Sequence, residues 1–389
     1  MSSYEYMDLF FSLIQVSLGR RDSLPLAPSR NQWADMFDAA VRQSLIGVCG
    51  SGVERLPEEQ RPPRDIAVKW AFFVNSIEER NRWMNVKCGE ITELMAADGF
   101  SSCVLKGQGM ATLYPNPLRR QSGDIDLLCW PKDAGPKDCG MKEVVAYVRL
   151  HDRKGQVVYH HAEMHTAFCR AADGCVSFVP TGGVDDIEIE VHYRPSWFYS
   201  PLRNRCFQRW ALRHRSEMRF APDGGFFFPQ PSYNALYILV HIYRHLFDEG
   251  IGLRQLLDYY YVLKEIRHDT VAVESLRMML RKLGMMKFAR AVMYVLREVF
   301  GMEESYMPVE VDVREGRFLL SEIIQAGNFG QYDERSQARQ GESLIARFTR
   351  RQKRVSRFLI HYPEETVCAP LWTLWQRMWR RKNGYIVSK

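Results

Sequence analysis

Residues 104–128 read VLKGQGMATLYPNPLRRQSGDIDLL, and this stretch decides the fold. A short apolar run ends in a Lys-Gly turn, and two aspartates, Asp124 and Asp126, stand in a second apolar run. Successive side chains of a strand point to opposite faces, so both carboxylates project from one face while Ile125 and Leu127 face the core. Two carboxylates on one face of a buried strand repel each other and lose hydration. They therefore require a positive partner, and a divalent cation is the usual one.

A second segment, 187–193, reads IEIEVHY and alternates between apolar and polar side chains. This period of two predicts a half-buried strand with Glu188, Glu190 and His192 on one face. Nucleotidyl transfer needs carboxylates that hold two divalent ions about 3.5–4 Å apart, in line with the attacking hydroxyl and the pyrophosphate leaving group. We therefore predict Mg²⁺ or Mn²⁺ held by the two aspartates and Glu190, with Glu188 as the alternative third acid.

The segment before the aspartates contains residues suited to a triphosphate. Gly107 and Gly109 lack a Cβ atom, so backbone N–H groups here can approach the β- and γ-phosphates. Lys106 or Arg120 can neutralise the phosphates, and arginine does so through a bidentate fork. We also assign nucleotide binding to three neighbours of the predicted metal ligands: Ser122, Gly123 and His192.

These motifs resemble the nucleotidyltransferase superfamily, which is marked by a strand, a glycine-containing turn, an Asp-hydrophobic-Asp strand and a third acid on a later strand. More closely, the chain is similar to the bacterial branch usually labelled uncharacterised nucleotidyltransferase. That branch shows Leu-Lys-Gly, Tyr-Pro, Arg-x-x-Gly-Asp-Ile-Asp-Leu-Leu and an acid two residues before a histidine. The corresponding residues here are Leu105-Lys106-Gly107, Tyr114-Pro115, Arg120 to Leu128, and Glu190-Val191-His192.

The resemblance extends over most of residues 30–375 and includes the helical segments His241–His245 and Leu253–Asp258. It implies an NTP substrate, Mg²⁺ or Mn²⁺, and transfer of a nucleoside monophosphate to an acceptor with release of pyrophosphate. The acceptor stays open between a protein, an RNA, a sugar and a small molecule. Most of the superfamily has Gly-Ser in the phosphate turn, whereas this chain has Lys106-Gly107-Gln108-Gly109. The similar branch and some toxin-like relatives also use Lys-Gly.

The composition, with 46% hydrophobic and 25% charged residues, is that of a globular protein. No window approaches the roughly 20 apolar residues of a membrane span. The N-terminal sequence has acids where an export signal has lysine or arginine, so we expect no such signal. Nine cysteines without a Cys-x-x-Cys pair indicate a reducing compartment. These features together predict a cytoplasmic bacterial protein.

The positive charge is concentrated at the C-terminus. The net charge is +7, and residues 346–389 carry eleven Lys/Arg and two Glu. This basic tail is compatible with an acidic partner such as nucleic acid, a lipid head group or a phosphorylated substrate, although a solvated amphipathic helix is the favoured interpretation.

The patterns along the chain predict an α+β fold in which a small mixed sheet is flanked by helical regions. The predicted regions are an N-terminal helical region at 1–98, a nucleotidyltransferase core at 99–228, and a C-terminal helical region with the basic tail at 229–389. Strands are predicted at 100–105, 124–130, 157–160, 166–169 and 187–193.

Several histidines allow a metal interpretation that we do not favour. In a strand, His160 and His161 would lie on opposite faces and could not bind one ion without a bulge. We expect these two and His165 to be structural or loop residues. His241 and His245 lie one turn apart, which suits zinc, but the sequence shows no third ligand, so packing or substrate contact is favoured.

The C-terminal helices contain further patterns with ordinary explanations. Arg254 and Asp258 are predicted either to form a helix pair or, by the resemblance, to lie near the nucleotide. The run 259–261 (YYY) is predicted to be core. Three tryptophans at helical spacing, which are suited to RNA or a membrane surface, more simply predict a terminal helix docked on the body: Trp372, Trp375 and Trp379.

Two other functions compete with nucleotidyl transfer. A glycosyltransferase would use the same aspartates on a nucleotide sugar, but it should have a Rossmann-like βαβ series before Asp124, where the sequence predicts helices. A non-catalytic member of the fold would bind nucleotide or nucleic acid without releasing pyrophosphate.

Overall fold

The computed structural model describes residues 5–152, 155–171, 173–179, 187–336 and 342–385. The helices in these ranges are α1 (Glu5–Ser17), α2 (Arg30–Arg42), α3 (Ile46–Arg55), α4 (Arg64–Ala97), α5 (Gly107–Ala111), α6 (Met141–His151), α7 (Pro201–His214), α8 (Pro231–Asp248), α9 (Leu253–Ile266), α10 (Thr270–Lys282), α11 (Met286–Phe300), α12 (Val313–Ala326), α13 (Leu344–Ser356) and α14 (Pro363–Lys382). The strands are β1 (Phe100–Val104), β2 (Ile125–Pro131), β3 (His161–Arg170), β4 (Val176–Val179), β5 (Ile187–His192), β6 (Met218–Ala221) and β7 (Phe226–Pro229). This arrangement confirms the predicted α+β class.

Five strands form one mixed sheet in the order β1-β2-β5-β3-β4, and β6 and β7 form a separate hairpin. Strands β2 and β5 run parallel, whereas β1–β2, β3–β5 and β3–β4 are antiparallel. A parallel pair needs a long connection. Here the chain between β2 and β5 includes α6, β3 and β4, so strands distant in sequence become neighbours.

The chain divides into two compact units. The first is helical and comprises the described parts of Met1–Asn81, Tyr114–Gln121 and His241–Arg354. The second contains both sheets and comprises the described parts of Arg82–Leu113, Ser122–Val240 and Val355–Lys389. The three regions predicted from the sequence describe the order of helices and strands along the chain, and their status as domains stays a prediction.

The core of the second unit follows the alternation of its central strands. Ile125 and Leu127 of β2 and Ile189 and Val191 of β5 are all buried in one apolar cluster. Helices α4 and α6 cover that cluster with buried side chains such as Val148. Burial of each such side chain contributes about 1.5–3 kcal/mol. The apolar face therefore fixes which face of β2 and β5 presents the acids.

The first unit is built around α9 and α11. The run 259–261 in α9 is buried, as predicted. Helix α11 buries ten of its fifteen residues, and they include Phe288, Val292, Val295 and Val299 of the predicted stripe. None of the helices in the described ranges combines the length and the apolar character that a membrane crossing requires.

One strand prediction is wrong. Residues 157–160 are not a strand: Val157 forms only an isolated bridge with Ala162, and β3 begins at His161. The N–H of Val158 donates to the carbonyl of His161 at 3.0 Å, which closes a turn. The other four predictions correspond to β1, β2, part of β3 and β5, with ends shifted by a few residues at most.

The terminal helix α14 is docked within the second unit, in agreement with the prediction. Trp372 is buried, and its ring centroid lies 4.9 Å from that of Tyr159. Glu365 accepts hydrogen bonds from the N–H groups of Tyr199 and Ser200 at 2.8 and 3.0 Å. Trp372 therefore serves packing, whereas Trp375 is 39% exposed and touches Tyr159 at its edge, with ring centroids 5.7 Å apart.

Candidate metal and nucleotide site

The parallel pairing of β2 and β5 brings two acids together. Asp126 stands directly opposite Glu190 in the register, one step after the Ile125–Ile189 pair. The antiparallel neighbour β3 places Glu163 opposite Glu190 on the other side. Asp126 is only 3% exposed, so its charge requires compensation from nearby groups.

Lys106 provides part of that compensation. The N–H of Leu105 donates to the carbonyl of Asp126 at 2.9 Å, which continues the β1–β2 pairing and places the next residue beside the acids. Lys106 Nζ lies 2.6 Å from Asp126 Oδ1. Burial acts to lower the pKa of Lys106, but the charges of Asp126, Glu190 and Asp124 raise it above its usual value.

His192 provides the second positive group. Its Nε2 lies 3.1 Å from both Asp126 Oδ1 and Glu190 Oε2, and its Nδ1 lies 3.3 Å from the carbonyl of Arg194. Burial acts to lower the pKa of His192, yet the hydrogen bonds to Asp126 and Glu190 raise it to about 9. The imidazole therefore carries a proton at neutral pH and bridges the two carboxylates.

Glu190 and Glu188 differ sharply in environment. Burial acts to raise the pKa of Glu190, but the hydrogen bond with His192 and the charge of His161 hold it well below its usual range. The side chain of Glu188 is 53% exposed. Burial and the charge of Asp124 raise the pKa of Glu188. Of the two acids, Glu190 is thus the one that its neighbours hold in the ionised form.

Asp124 precedes β2 and is exposed, so it lies at the open edge of the site. Its charge acts on both Lys106 and Glu188. Its carbonyl would lie 3.6 Å from a Cβ atom at Gly107. Asp124 therefore adjoins the Lys-Gly turn, and its predicted role as a metal ligand stays a prediction.

The donor atoms fit a divalent cation. Among the described residues, Asp126, Glu190 and His192 each offer a ligand atom within 4.8 Å of the others. Carboxylate oxygens are the ligands that Mg²⁺ and Mn²⁺ prefer. The ammonium of Lys106 and the imidazolium of His192 balance the two acids. A bound cation would take the place of the ammonium.

The fold requires glycine at positions 107 and 109 of the Lys-Gly turn for two different reasons. Gly107 has a φ of +49°, a left-handed conformation that favours glycine. The N–H of Gly109 donates to the carbonyl of Lys106 at 2.8 Å. A Cβ at Gly109 would lie 2.5 Å from the carbonyl oxygen of Val104. Close packing therefore requires Gly109, and its predicted contact with phosphate stays a prediction.

Arg120 is held in the first unit. Its Nε donates to Asp258 Oδ1 at 2.8 Å and a terminal nitrogen donates to Oδ2 at 2.7 Å, while the hydroxyl of Tyr114 donates to Oδ1 at 2.7 Å. Arg254 donates to the carbonyl of Gln121 at 2.7 Å. These bonds fix residues 114–121 on α9. The predicted fork of Arg120 is thus directed at Asp258, and its role toward a phosphate stays a prediction.

Two other predicted nucleotide ligands lie immediately before the aspartates. Ser122 is half-buried, and Gly123 is exposed, with open space where a Cβ would stand. Their assignment to the nucleotide stays a prediction.

The opposite-face argument for His160 and His161 is wrong. His160 lies in the turn before β3, and this turn brings its Nε2 within 3.0 Å of His161 Nδ1. His161 Nδ1 also lies 3.3 Å from Glu190 Oε2. Both histidines therefore adjoin the candidate site. In the sequence, the adjacent His-His pair was the feature that indicated this cluster. The strand predicted at 157–160 placed the two rings on opposite faces instead.

The remaining histidines lie elsewhere in their units. The backbone N–H of His165 donates to Asp152 at 2.9 Å, and its ring is half-exposed beside Glu188. His241 and His245 have ring centroids 4.3 Å apart in the first unit, and His245 Nδ1 lies 3.2 Å from Glu249. These contacts are those of packing and surface pairing.

A cavity of about 620 Å³ lies in the second unit, where Tyr159 and Trp372 form part of its wall. Four cationic residues line it: Lys137, Arg194, Arg205 and Arg209. This lining suits an anionic ligand with a flat apolar body. The acidic partner considered for the basic tail is a separate matter, since none of these four cations belongs to residues 346–389, and it stays a prediction.

The comparison with protein families decides the relationship. Residues 29–301, well over half of the chain, match the family of uncharacterised nucleotidyltransferases. The chain belongs to this family. The matched range contains every residue of the nucleotidyltransferase motif described above. No curated protein and no solved structure matches the chain.

Proposed function

We propose that this nucleotidyltransferase moves a nucleoside monophosphate from an NTP to an acceptor and releases pyrophosphate. The observation that carries the proposal is the register of β2 and β5, which pairs Asp126 with Glu190. Lys106 of the Lys-Gly turn lies beside this pair. Family membership supports the reaction class. The acceptor is one of four classes, namely a protein, an RNA, a sugar or a small molecule.

Each residue has a proposed role. Asp126 and Glu190 hold a divalent cation, with Asp124 as a further ligand at the exposed edge. Bound Mg²⁺ or Mn²⁺ polarises the phosphates and lowers the pKa of an attacking hydroxyl. Lys106, released from Asp126, neutralises the triphosphate, and the turn at Gly107 supplies backbone donors.

His192, Ser122 and Gly123 complete the proposed nucleotide site, with His192 orienting the two buried acids. We leave Arg120 out of the proposed phosphate contacts, because its guanidinium forms a bidentate pair with Asp258. We also propose a cytoplasmic location in a bacterial cell, which the nine free cysteines support.

Incubation of the protein with Mg²⁺, α-labelled NTPs and a cell lysate tests the reaction. We expect one class of molecule to acquire label, together with release of pyrophosphate. Asp126→Asn should abolish labelling, because a neutral amide cannot hold the cation. Asp133→Asn, which changes an exposed acid just after β2, is the matched control and should retain labelling. Equal labelling by both variants would remove Asp126 from the mechanism.

One observation favours a second candidate. Lys106 and His192 already balance the buried acids, as they would in a member that binds nucleotide without turnover. Calorimetry with Mg²⁺ and each NTP, paired with a pyrophosphate assay, separates the two functions. Binding without pyrophosphate release supports the non-catalytic member. Upstream of Asp124, the described chain has helices and β1 antiparallel to β2, so nothing favours a glycosyltransferase.

A further inference from the structure

Three imidazole rings meet beside Glu190. His160 lies in the turn before β3, His161 begins β3, and His192 ends β5 directly opposite His161 in the register. The ring centroids are 4.3 Å apart for His160–His161, 5.1 Å for His161–His192 and 5.3 Å for His160–His192. Each ring offers a nitrogen within 4.8 Å of the other two.

One distance in this cluster matches an edge of a tetrahedral metal site. Zinc bound to nitrogen at 2.0–2.1 Å places neighbouring ligand atoms about 3.3 Å apart. His160 Nε2 lies 3.0 Å from His161 Nδ1, and one nitrogen of each of the three rings lies within 4.8 Å of the others. Glu190 borders the cluster, with its Oε2 at 3.3 Å from His161 Nδ1 and 3.1 Å from His192 Nε2. A small closure of the three rings therefore gives the spacing of three zinc ligands.

The far side of the His192 ring is also arranged as in metal sites. Histidine ligands usually present their second nitrogen to a carboxylate or a carbonyl, which fixes the ring and its tautomer. His192 Nδ1 lies 3.3 Å from the carbonyl of Arg194. His161 and His192 are buried, and the His160 ring lies 4.0 Å from that of Trp197. The rings are thus held in place by packing as well as by polar contacts.

We propose that His160, His161 and His192 form a binding site for Zn²⁺ beside Glu190. Three imidazole nitrogens suit zinc, whereas Mg²⁺ requires oxygen ligands in an octahedral arrangement. Neither the family relationship nor the proposed reaction requires this site.

A consequence of the site rests on the proposed function. His192 contacts both proposed Mg²⁺ ligands, Asp126 and Glu190, so Zn²⁺ bound at His192 would compete with these contacts. Bound Zn²⁺ should therefore inhibit nucleotidyl transfer, and a chelator that removes Zn²⁺ but not Mg²⁺ should restore it. The histidine cluster would thus allow zinc to regulate the nucleotidyl transfer that depends on the neighbouring acids.

Metal binding to the full-length metal-free protein tests the site directly, without any NTP. We expect one equivalent of Zn²⁺ to bind in calorimetry, and Co²⁺ to give the intense visible absorption of a tetrahedral complex. His160→Ala should weaken Zn²⁺ binding at least about tenfold and remove the Co²⁺ band. His165→Ala is the matched control, since His165 lies on the same strand but half-exposed, and it should keep both signals.

The two variants also separate the zinc site from the proposed reaction. His160 is not among the residues proposed to bind Mg²⁺ or the triphosphate, so we expect His160→Ala to keep Mg²⁺-dependent turnover while losing inhibition by Zn²⁺. Circular dichroism checks that both variants fold. Unchanged Zn²⁺ affinity and Co²⁺ absorption in folded His160→Ala would overturn the zinc site. Zinc binding in a protein that never turns over NTP would overturn the proposed function and leave the zinc site standing.

Discussion

At the scale of single residues, the candidate site is a balance of buried charges. The acids are Asp126 and Glu190. The nitrogens of the cations Lys106 and His192 lie 2.6–3.1 Å from their carboxylate oxygens. Breaking a buried ion pair by removing one partner is costly, because the other charge remains without compensation. A cation that replaces the ammonium of Lys106 keeps the balance. The same residues can therefore serve the metal-free and the metal-bound protein.

The two candidate third acids can be separated by matched substitutions. Glu190→Gln should lower turnover about a hundredfold or more, because it removes a metal ligand opposite Asp126. Glu188→Gln changes a half-exposed acid on the same strand and should leave turnover within about a factor of two. Steady-state kinetics at saturating Mg²⁺ provides the measurement. The reverse order of effects would assign the third ligand to Glu188.

At the scale of secondary-structure elements, two features hold the site in shape. The parallel register of β2 and β5 aligns the acids, and the short helix α5 packs tightly behind the Lys-Gly turn. The close approach at Gly109 is to backbone, which cannot move aside as a flexible side chain can.

A substitution in α5 tests that packing. Gly109→Ala should destabilise the protein by about 1–3 kcal/mol, since the new methyl group meets the carbonyl of Val104. Gly135→Ala is the control, because nothing lies within 4 Å of a Cβ at that position and its φ is not left-handed. Denaturant unfolding of both variants measures the difference. A Gly109→Ala variant as stable as the control would show that the turn relaxes freely.

At the scale of the whole molecule, all the residues proposed to bind the cation and the triphosphate lie in the second unit. A ligand that binds only the folded state stabilises it by about 2.7 kcal/mol at a hundred times its dissociation constant. For a unit of this size, that corresponds to a rise of roughly 5–10 °C in the midpoint of thermal unfolding.

Scanning calorimetry can therefore detect nucleotide binding as a rise in the midpoint of thermal unfolding. We expect Mg²⁺ and the correct NTP together to raise the transition of the second unit, and Mg²⁺ alone to do so far less. Asp126→Asn should lose the shift. A shift of equal size in that variant would place the nucleotide elsewhere.

The sequence by itself determined the α+β class and the face that carries the acids. Alternation is a local property: Ile125 and Leu127 must be buried, so Asp126 must face the other way, and the same holds for Glu190 between Ile189 and Val191. The Lys-Gly and Asp-Ile-Asp motifs also indicated the family, which the match over residues 29–301 confirms.

Tertiary structure decided what local periodicity does not encode. The parallel pairing joins Asp126 to Glu190 across 64 residues of chain, and that partner choice depends on how the whole sheet packs. The direction of the Arg120 fork depends on Asp258, which lies 138 residues away. His160 joined the histidine cluster because a turn replaced the expected strand, and its carbonyl accepts bonds from the N–H groups of Tyr193 and Arg194, just after β5, at 3.0 and 3.1 Å.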